Sequence, residues 1–352
     1  MNRQLMLLMI AWFALANGSR EGNSQDFQQR RDSGQSPRNA APPNERDRPR
    51  PPAGRPGPWD QDILVYRTAR NGTSEKLATF FRAGVSTVAR LRDDRLIVAH
   101  QHFPEDNTAD FDKVAVRFSS DEGRTWSGPE VIRLTGFPEG MRLPFDPTLV
   151  PLPDGRVRMY FTSLKQWRPN EDRPEIYSAT SSNGLDFAFE PGVRFGIAGR
   201  PVIDCAVVRH GDTFHLFAPD NGTVGQPGAP TGERAPDGVG YHATSSDGLT
   251  FERQRDVRIE GRRHWLGNAL SDGESIRFIG TGGPGGMWMA RSADGQSWTL
   301  DREFSPVPGA DPGAVRLKDG SWLVTVTGPP RVGTPSDRLR RPPPRSPPEN
   351  KP

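Results

Sequence analysis

The 352 residues carry 46 Lys and Arg against 43 Asp and Glu, for a formal net charge of +3, with 38 Gly, 36 Pro and a single Cys. One cysteine excludes a disulfide framework or a cysteine cluster for metal. The basic excess sits at the two ends of the chain. The flanking segments with Arg3 hold +8, so residues 59–328 come to −5, which argues against a nucleic-acid-binding core.

Residues 1–16 read as a secretory signal. Arg3 supplies the positive start, Leu5 to Leu15 is apolar, and Ala14-Leu15-Ala16 offers a small-x-small cleavage site. The apolar run is too short to span a bilayer. An exported protein, secreted or periplasmic, is therefore expected, with a buried N-terminal helix or an uncleaved anchor as the alternatives. Residues 17–58 and 329–352 are Pro- and Arg-rich without apolar periodicity and read as disordered or extended linkers. The folded part is expected over 59–328.

Within it helical periodicity is almost absent, and an all-β fold is expected. Strand, polar turn and strand follow one another five times: "VSTVARLRDDRLIVAH" from Val85, "DPTLVPLPDGRVRMYF" from Asp146, "DCAVVRHGDTFHLF" from Asp204, "LGNALSDGESIRFIG" from Leu266 and "DPGAVRLKDGSWLVTV" from Asp311. Asp-Gly or a similar polar pair between alternating apolar residues is a hairpin signal. A third strand follows each of the first four hairpins and runs into a recurring turn. That turn reads Ser119-Ser-Asp-Glu-Gly-Arg-Thr-Trp126, then "SSNGLDF" from Ser181, "SSDGLTF" from Ser245 and "SADGQSW" from Ser292. In each copy Asp or Asn can accept backbone N–H bonds, Gly supplies a positive φ, and the aromatic packs back on the hairpin. Four copies of one motif report architecture before chemistry. The fifth hairpin lacks a third strand, and "ILVYRTARNGTSE" from Ile63 has the matching shape. The N-terminal strands are thus expected to complete the last blade of a five-bladed β-propeller, closing the ring without a long free edge. A six-bladed ring is the alternative if a loop hides a further unit. Cys205, among apolar neighbours, reads as a small core residue.

The turn repeat resembles the Asp-box, or BNR, repeat of sialidases and related propellers; residues 119–126 match the full S-x-D-x-G-x-T-W pattern. "FFRAGVSTVARLRDDRLIVAHQHF" resembles the first blade of a sialidase, with Arg82 in the place of its opening Arg and Ala83-Gly84 where Ile-Pro is expected. Asp146-Pro147 and Asp311-Pro312 also resemble the five-bladed glycosidases that place Asp at the start of inner strands. These resemblances imply a glycoside hydrolase-like protein acting on extracellular glycans. A sialidase would use a Tyr nucleophile late in the propeller and an acid/base Asp after the first hairpin. The chain has no Tyr beyond Tyr241, and its loop after the first hairpin offers Glu105, Asp106, Asp110 and Asp112.

In a propeller the starts of the inner strands converge on the tunnel mouth. The residues in those places are Val85 or Ser86, Asp146, Asp204, His264 or Asn268, and Asp311. Three carboxylates in so small a ring cannot all stay charged, and one should have a raised pKa. An acid and a carboxylate facing a sugar are what glycoside cleavage needs. Asp146, Asp204 and Asp311 are therefore the candidate catalytic residues. Arg82, Arg142 and Arg200 are candidate anchors for a substrate carboxylate, and His264, Asn268 and Trp167 are further candidate substrate contacts, Trp167 through stacking on a sugar ring. The loops 164–175 and 219–238, with Glu175 and Glu233 as possible acids, are expected to rise over the mouth. No phosphate loop, zinc spacing or calcium loop is present, so no cofactor or metal is expected, and the partner is expected to be carbohydrate bound to a monomer. A propeller that binds glycan or protein without catalysis is the rival reading, and a structural scaffold with a plugged tunnel is a third.

Overall fold

The computed structural model describes residues 58–69, 72–165, 173–222, 237–283, 286–302 and 304–331. Residues 58–331 form one compact unit. Among the described residues no helix is long and apolar enough to cross a membrane.

The unit is a five-bladed β-propeller. Strands β1 (Ile63–Thr68) and β2 (Ser74–Phe80) open the chain. Blade I follows with β3 (Ala83–Arg90), β4 (Leu96–His102), β5 (Lys113–Ser119) and β6 (Glu130–Val131). A short β7 (Arg133–Thr135) then crosses to blade II, where β8 (Phe145–Pro151), β9 (Val157–Ser163), β10 (Glu175–Ser181) and β11 (Asp186–Phe195) form the sheet and β7 pairs parallel with β11. Blade III has β12 (Ala206–His210), β13 (Thr213–Pro219) and β14 (Val239–Ser245). Its outer edge is split into β15 (Glu252–Arg253) and β16 (Val257–Arg258). Blade IV has β17 (Arg263–Ser271), β18 (Ile276–Gly282), β19 (Met287–Ser292) and β20 (Thr299–Leu300). Blade V takes β21 (Ala310–Arg316) and β22 (Trp322–Thr327) from the C-terminal end and β1 and β2 from the N-terminal end, in the order β2-β1-β22-β21. Ile63 pairs with Thr327 and Thr68 with Trp322 in an unbroken antiparallel register. The closure expected from the sequence is thus made, and the ring has five blades, with no sixth unit among the described residues.

The inner strands pack in the order β3, β8, β12, β17, β21 and back to β3. Each blade then buries its apolar face against the next. Leu149, Met159, Phe161 and Tyr177 of blade II pack with Ile97, Ala99, Val114 and Val116 of blade I. Phe217 of blade III packs with Trp265, Phe278 and Trp288 of blade IV. Cys205 is a free, buried thiol in the core between blades II and III.

The four recurring turns are built alike. The glycine N–H donates to the first serine Oγ in every copy: Gly123 to Ser119 and Gly184 to Ser181 at 2.9 Å, Gly248 to Ser245 at 2.9 Å and Gly295 to Ser292 at 2.8 Å. The acid or amide then collects the following N–H groups. Leu249 and Thr250 donate to Asp247 Oδ1 at 2.7 and 2.9 Å, and Gln296 and Ser297 donate to Asp294 Oδ1 at 2.8 Å each. These bonds favour the carboxylate, and Asp247 is held down at about 2. Trp126 and Trp298 each donate their indole N–H to the turn glycine carbonyl at 2.9 and 3.1 Å. The turns are structural. Asp247→Ala should cost about 1–2 kcal/mol, the order of losing charge-assisted hydrogen bonds at a solvated turn, with no effect on any activity. A fall in turnover exceeding the loss of folded protein would count against this.

Candidate functional site

The inner strands begin on a repeated local irregularity. Register shifts interrupt the β3, β8, β17 and β21 pairings near their starts. Val85, Asp146 and Asp311 stand in three of these bulges with φ of 49°, 51° and 47°, and Asp204, just before β12, has φ of 56°. This left-handed conformation costs a branched residue most and Asp or Asn least. A bulge re-aims the side chain out of the strand alternation, so these residues point to the mouth of the ring rather than into a blade face. A threonine of the preceding blade pins three of them. The N–H of Val85 donates to Thr327 Oγ1 at 3.1 Å, that of Asp204 to Thr162 Oγ1 at 3.3 Å, and that of Asp311 to Thr281 Oγ1 at 3.0 Å. Thr162, Thr281 and Thr327 hold the same place, sixth in β9, β18 and β22.

Carboxyls therefore converge from blades II, III and V, while blades I and IV contribute Val85 and Leu266. Asp146 and Asp311 are 8% and 6% exposed, and Asp204 keeps more solvent access at its residue surface. Loss of hydration raises all three, and the groups feel one another's charge. Asp146 and Asp311 are each pushed up to about 7. Asp204 is pushed well above the carboxylate range, first by burial and then by the charges of Asp146 and Asp311. The carboxyls of Asp146 and Asp204 share a hydrogen bond that raises Asp204, while that bond and the nearby Arg142 charge draw Asp146 downward. Asp311 Oδ1 is buried without a hydrogen-bond partner. The gap between the three is about 20 Å³, room for one water.

Polar side chains beside the carboxyls bond to one another between blades. Asn268 Nδ2 donates across the ring to Thr87 Oγ1 at 3.3 Å, and Ser86 Oγ donates to Thr325 Oγ1 at 2.9 Å. Asn268 is buried and committed to Thr87, whereas His264 is exposed at the start of β17. The three arginines of the mouth are each paired with an acid. Arg82 bonds Glu105, Arg142 NH2 lies 2.8 Å from Asp112 Oδ2, and Arg200 NH1 lies 3.1 Å from Asp220 Oδ1. Asp112 also accepts from Gln101 Nε2 at 2.7 Å, and Asp220 from the Tyr241 hydroxyl at 2.8 Å. Two of the four acids in the loop after the first hairpin, Glu105 and Asp112, are thus rim partners of arginine. Asp110 bonds Asn107 and Lys113. Glu175 accepts from the Tyr177 hydroxyl at 2.9 Å. Trp167 and Glu233 lie outside the described residues.

Sequence reasoning found the three carboxyls and missed their left-handed backbone, the threonine pins and the acid partners of the arginines. The Asp-Pro pairs and the "FTS" and "IGTG" strand ends carry the only sequence signal for that geometry.

No family model matches the chain, and no curated protein matches it. Solved structures do resemble it. An N-acetylgalactosamine deacetylase from F. plautii is 14% identical with a TM-score of 0.49, covering 75% of this chain and 86% of that one. RS223-Beta-xylosidase is 17% identical with a TM-score of 0.48, covering 70% and 91%. An alpha-L-arabinanase from Penicillium chrysogenum is 14% identical with a TM-score of 0.47, covering 79% and 87%.

Proposed function

We propose that this propeller is an exported, monomeric glycoside hydrolase-like protein whose reaction centre is the carboxyl group triad Asp146, Asp204 and Asp311. The observation that carries the reading is the convergence of three buried carboxyls, from three blades, at backbone positions that aim them into the mouth. Glycoside cleavage needs a carboxylic acid to protonate the leaving oxygen and a carboxylate to act as base or nucleophile. Asp204 holds its proton at neutral pH and takes the acid role. Asp311, with one carboxyl oxygen unpartnered, takes the role of base or nucleophile. Asp146 accepts the Asp204 hydrogen bond and so keeps that proton in place. Hydrolysis of a panel of chromogenic glycosides, sialosides included, by the wild-type protein tests this. Turnover of at least one glycoside is expected, and none across the panel would overturn the assignment.

Membership of the sialidase superfamily is the finer form of this reading, supported by the S-x-D-x-G-x-T-W turn at 119–126. The absence of any Tyr after Tyr241 and the pairing of Arg82, Arg142 and Arg200 with acids weigh against a sialidase chemistry. A second reading, glycan binding without cleavage, is favoured by one observation. Asp204 and Asp146 are in direct hydrogen-bond contact, whereas acid and base in glycosidases stand about 5–10 Å apart. On the catalytic reading that spacing has to be provided by Asp311 against Asp204.

A further inference from the structure

The outer edge of blade III faces the recurring turn of blade IV across an open cleft of about 600 Å³ lined by Arg253, Gln254, Arg255, Asp256, Arg258 and Gln296. Inner strands start at the mouth, so turns between third and fourth strands stand at the other end of the blades. The cleft therefore opens on the side wall away from the carboxyl triad. Its charge is uneven. Arg253 is spent on Asp256 at 2.9 Å, while the exposed guanidinium groups of Arg255 and Arg258 have no carboxylate partner among the described residues. The acid nearest on the facing turn, Asp294, is committed to the N–H groups of Gln296 and Ser297. A cleft with excess positive charge thus stands on a body whose residues 59–328 sum to −5.

The back of the cleft is fixed. The Gln296 carboxamide is bonded to the His242 ring and donates to the Arg255 carbonyl at 3.4 Å. His242 is stacked on His215 with Nε2 and Nδ1 3.1 Å apart. A side chain at Gly295 would strike the His215 ring, so the turn can approach only because glycine stands there. Burial lowers His242 to about 3 and keeps the ring neutral, which leaves the charge of the cleft to the arginines. A guanidinium fork pairs with two oxygens of a planar carboxylate or of a tetrahedral oxyanion. The Nε2 groups of Gln254 and Gln296 are committed within the protein, which leaves their carboxamide oxygens to accept from hydroxyls.

We propose that this cleft binds an oxyanion-bearing polysaccharide, a sugar polymer carrying sulfate ester or carboxylate substituents, independently of whatever the mouth does. Calorimetric titration of the full chain with size-matched dextran sulfate, carboxymethyl dextran and neutral dextran tests it. One or both charged dextrans should bind and neutral dextran should not, the tighter of the two naming the anion. The double variant Arg255→Ala/Arg258→Ala should bind at least tenfold more weakly at unchanged melting temperature. Should that variant fail to fold, Arg255→Lys/Arg258→Lys, which keeps the charge and loses the fork, should bind severalfold more weakly. Equal binding of neutral dextran would overturn the proposal. So would wild-type affinity in the folded variant, because the Arg-rich ends of the chain would then account for the binding.

Discussion

Asp204→Asn and Asp311→Asn should each lower kcat on any glycoside the protein cleaves by about 10²–10⁴-fold, the range that a lost general acid or base produces. Neither change should unfold the protein. Asn tolerates the left-handed conformation these positions require, φ of 56° and 47°, and it removes a buried group that burial and its neighbours already oppose. Melting temperature should hold or rise. Asp146→Asn should behave differently. Asp146 acts through Asp204, raising it by charge and by the hydrogen bond it accepts, so its loss should let the Asp204 proton go at lower pH. The basic limb of the pH–rate profile should then shift to lower pH, with a smaller loss at the optimum than either of the other changes. Kinetics of the three variants across pH 4–9 decide the matter. Full activity in Asp204→Asn and Asp311→Asn alike would remove the triad from the chemistry.

The same three groups should make folding stability fall as pH rises from about 4 to about 8. In the unfolded chain each ionises near 3.8; in the fold Asp146 and Asp311 wait until about 7 and Asp204 longer. Between those limits the folded state binds more protons, so ionisation favours unfolding as pH increases. A displacement from 3.8 to about 7 corresponds to roughly 4 kcal/mol, and because the three are coupled, several kcal/mol in total is the expected order. The turn acids work in the opposite direction. Asp121, Asp247 and Asp294 are held at about 2, so their stabilisation is complete above 4 and is lost as pH falls through 2. The buried imidazoles of His100, His215 and His242, lowered to about 3, 4 and 3, also oppose the triad, because their stabilisation grows as pH rises through this range to about 6.5. Urea unfolding of the wild-type protein and of the triple Asp→Asn variant at pH 4.5 and 8 isolates the carboxyls: the variant's gain over the wild type should be larger at pH 8 than at pH 4.5. Matching profiles would mean that the carboxyls are hydrated and uncoupled.

The architecture was legible because its determinants are local. Asp-Gly bends, period-two alternation and a four-fold Ser-x-Asp-Gly turn each announce a hairpin within a dozen residues, and "ILVYRTARNGTSE" shows by its shape that it belongs with the orphan fifth hairpin. The candidate triad was legible for a related reason: equivalent places in a repeat must meet at the axis. What the triad does to itself was not. Asp146 and Asp204 meet only because blades II and III are neighbours and both residues hold a left-handed backbone, and no spacing in the sequence encodes that approach. Arg142 looked like an anchor for a ligand acid, yet its partner, Asp112, comes from the loop of another blade. Asn268 stands two residues beyond Leu266, as Thr87 stands two beyond Val85, and the two bond to each other instead of to a ligand.

The pairing of Ile63–Thr68 with Trp322–Thr327 has a kinetic meaning. These strands are about 260 residues apart, so the last sheet cannot assemble until translation is nearly complete. Until then four blades stand as an open arc with two unprotected flanks, a species prone to self-association. Ring closure is then a late event, and a chain that stops short of residue 322 leaves β1 paired with β2 alone, its other edge open.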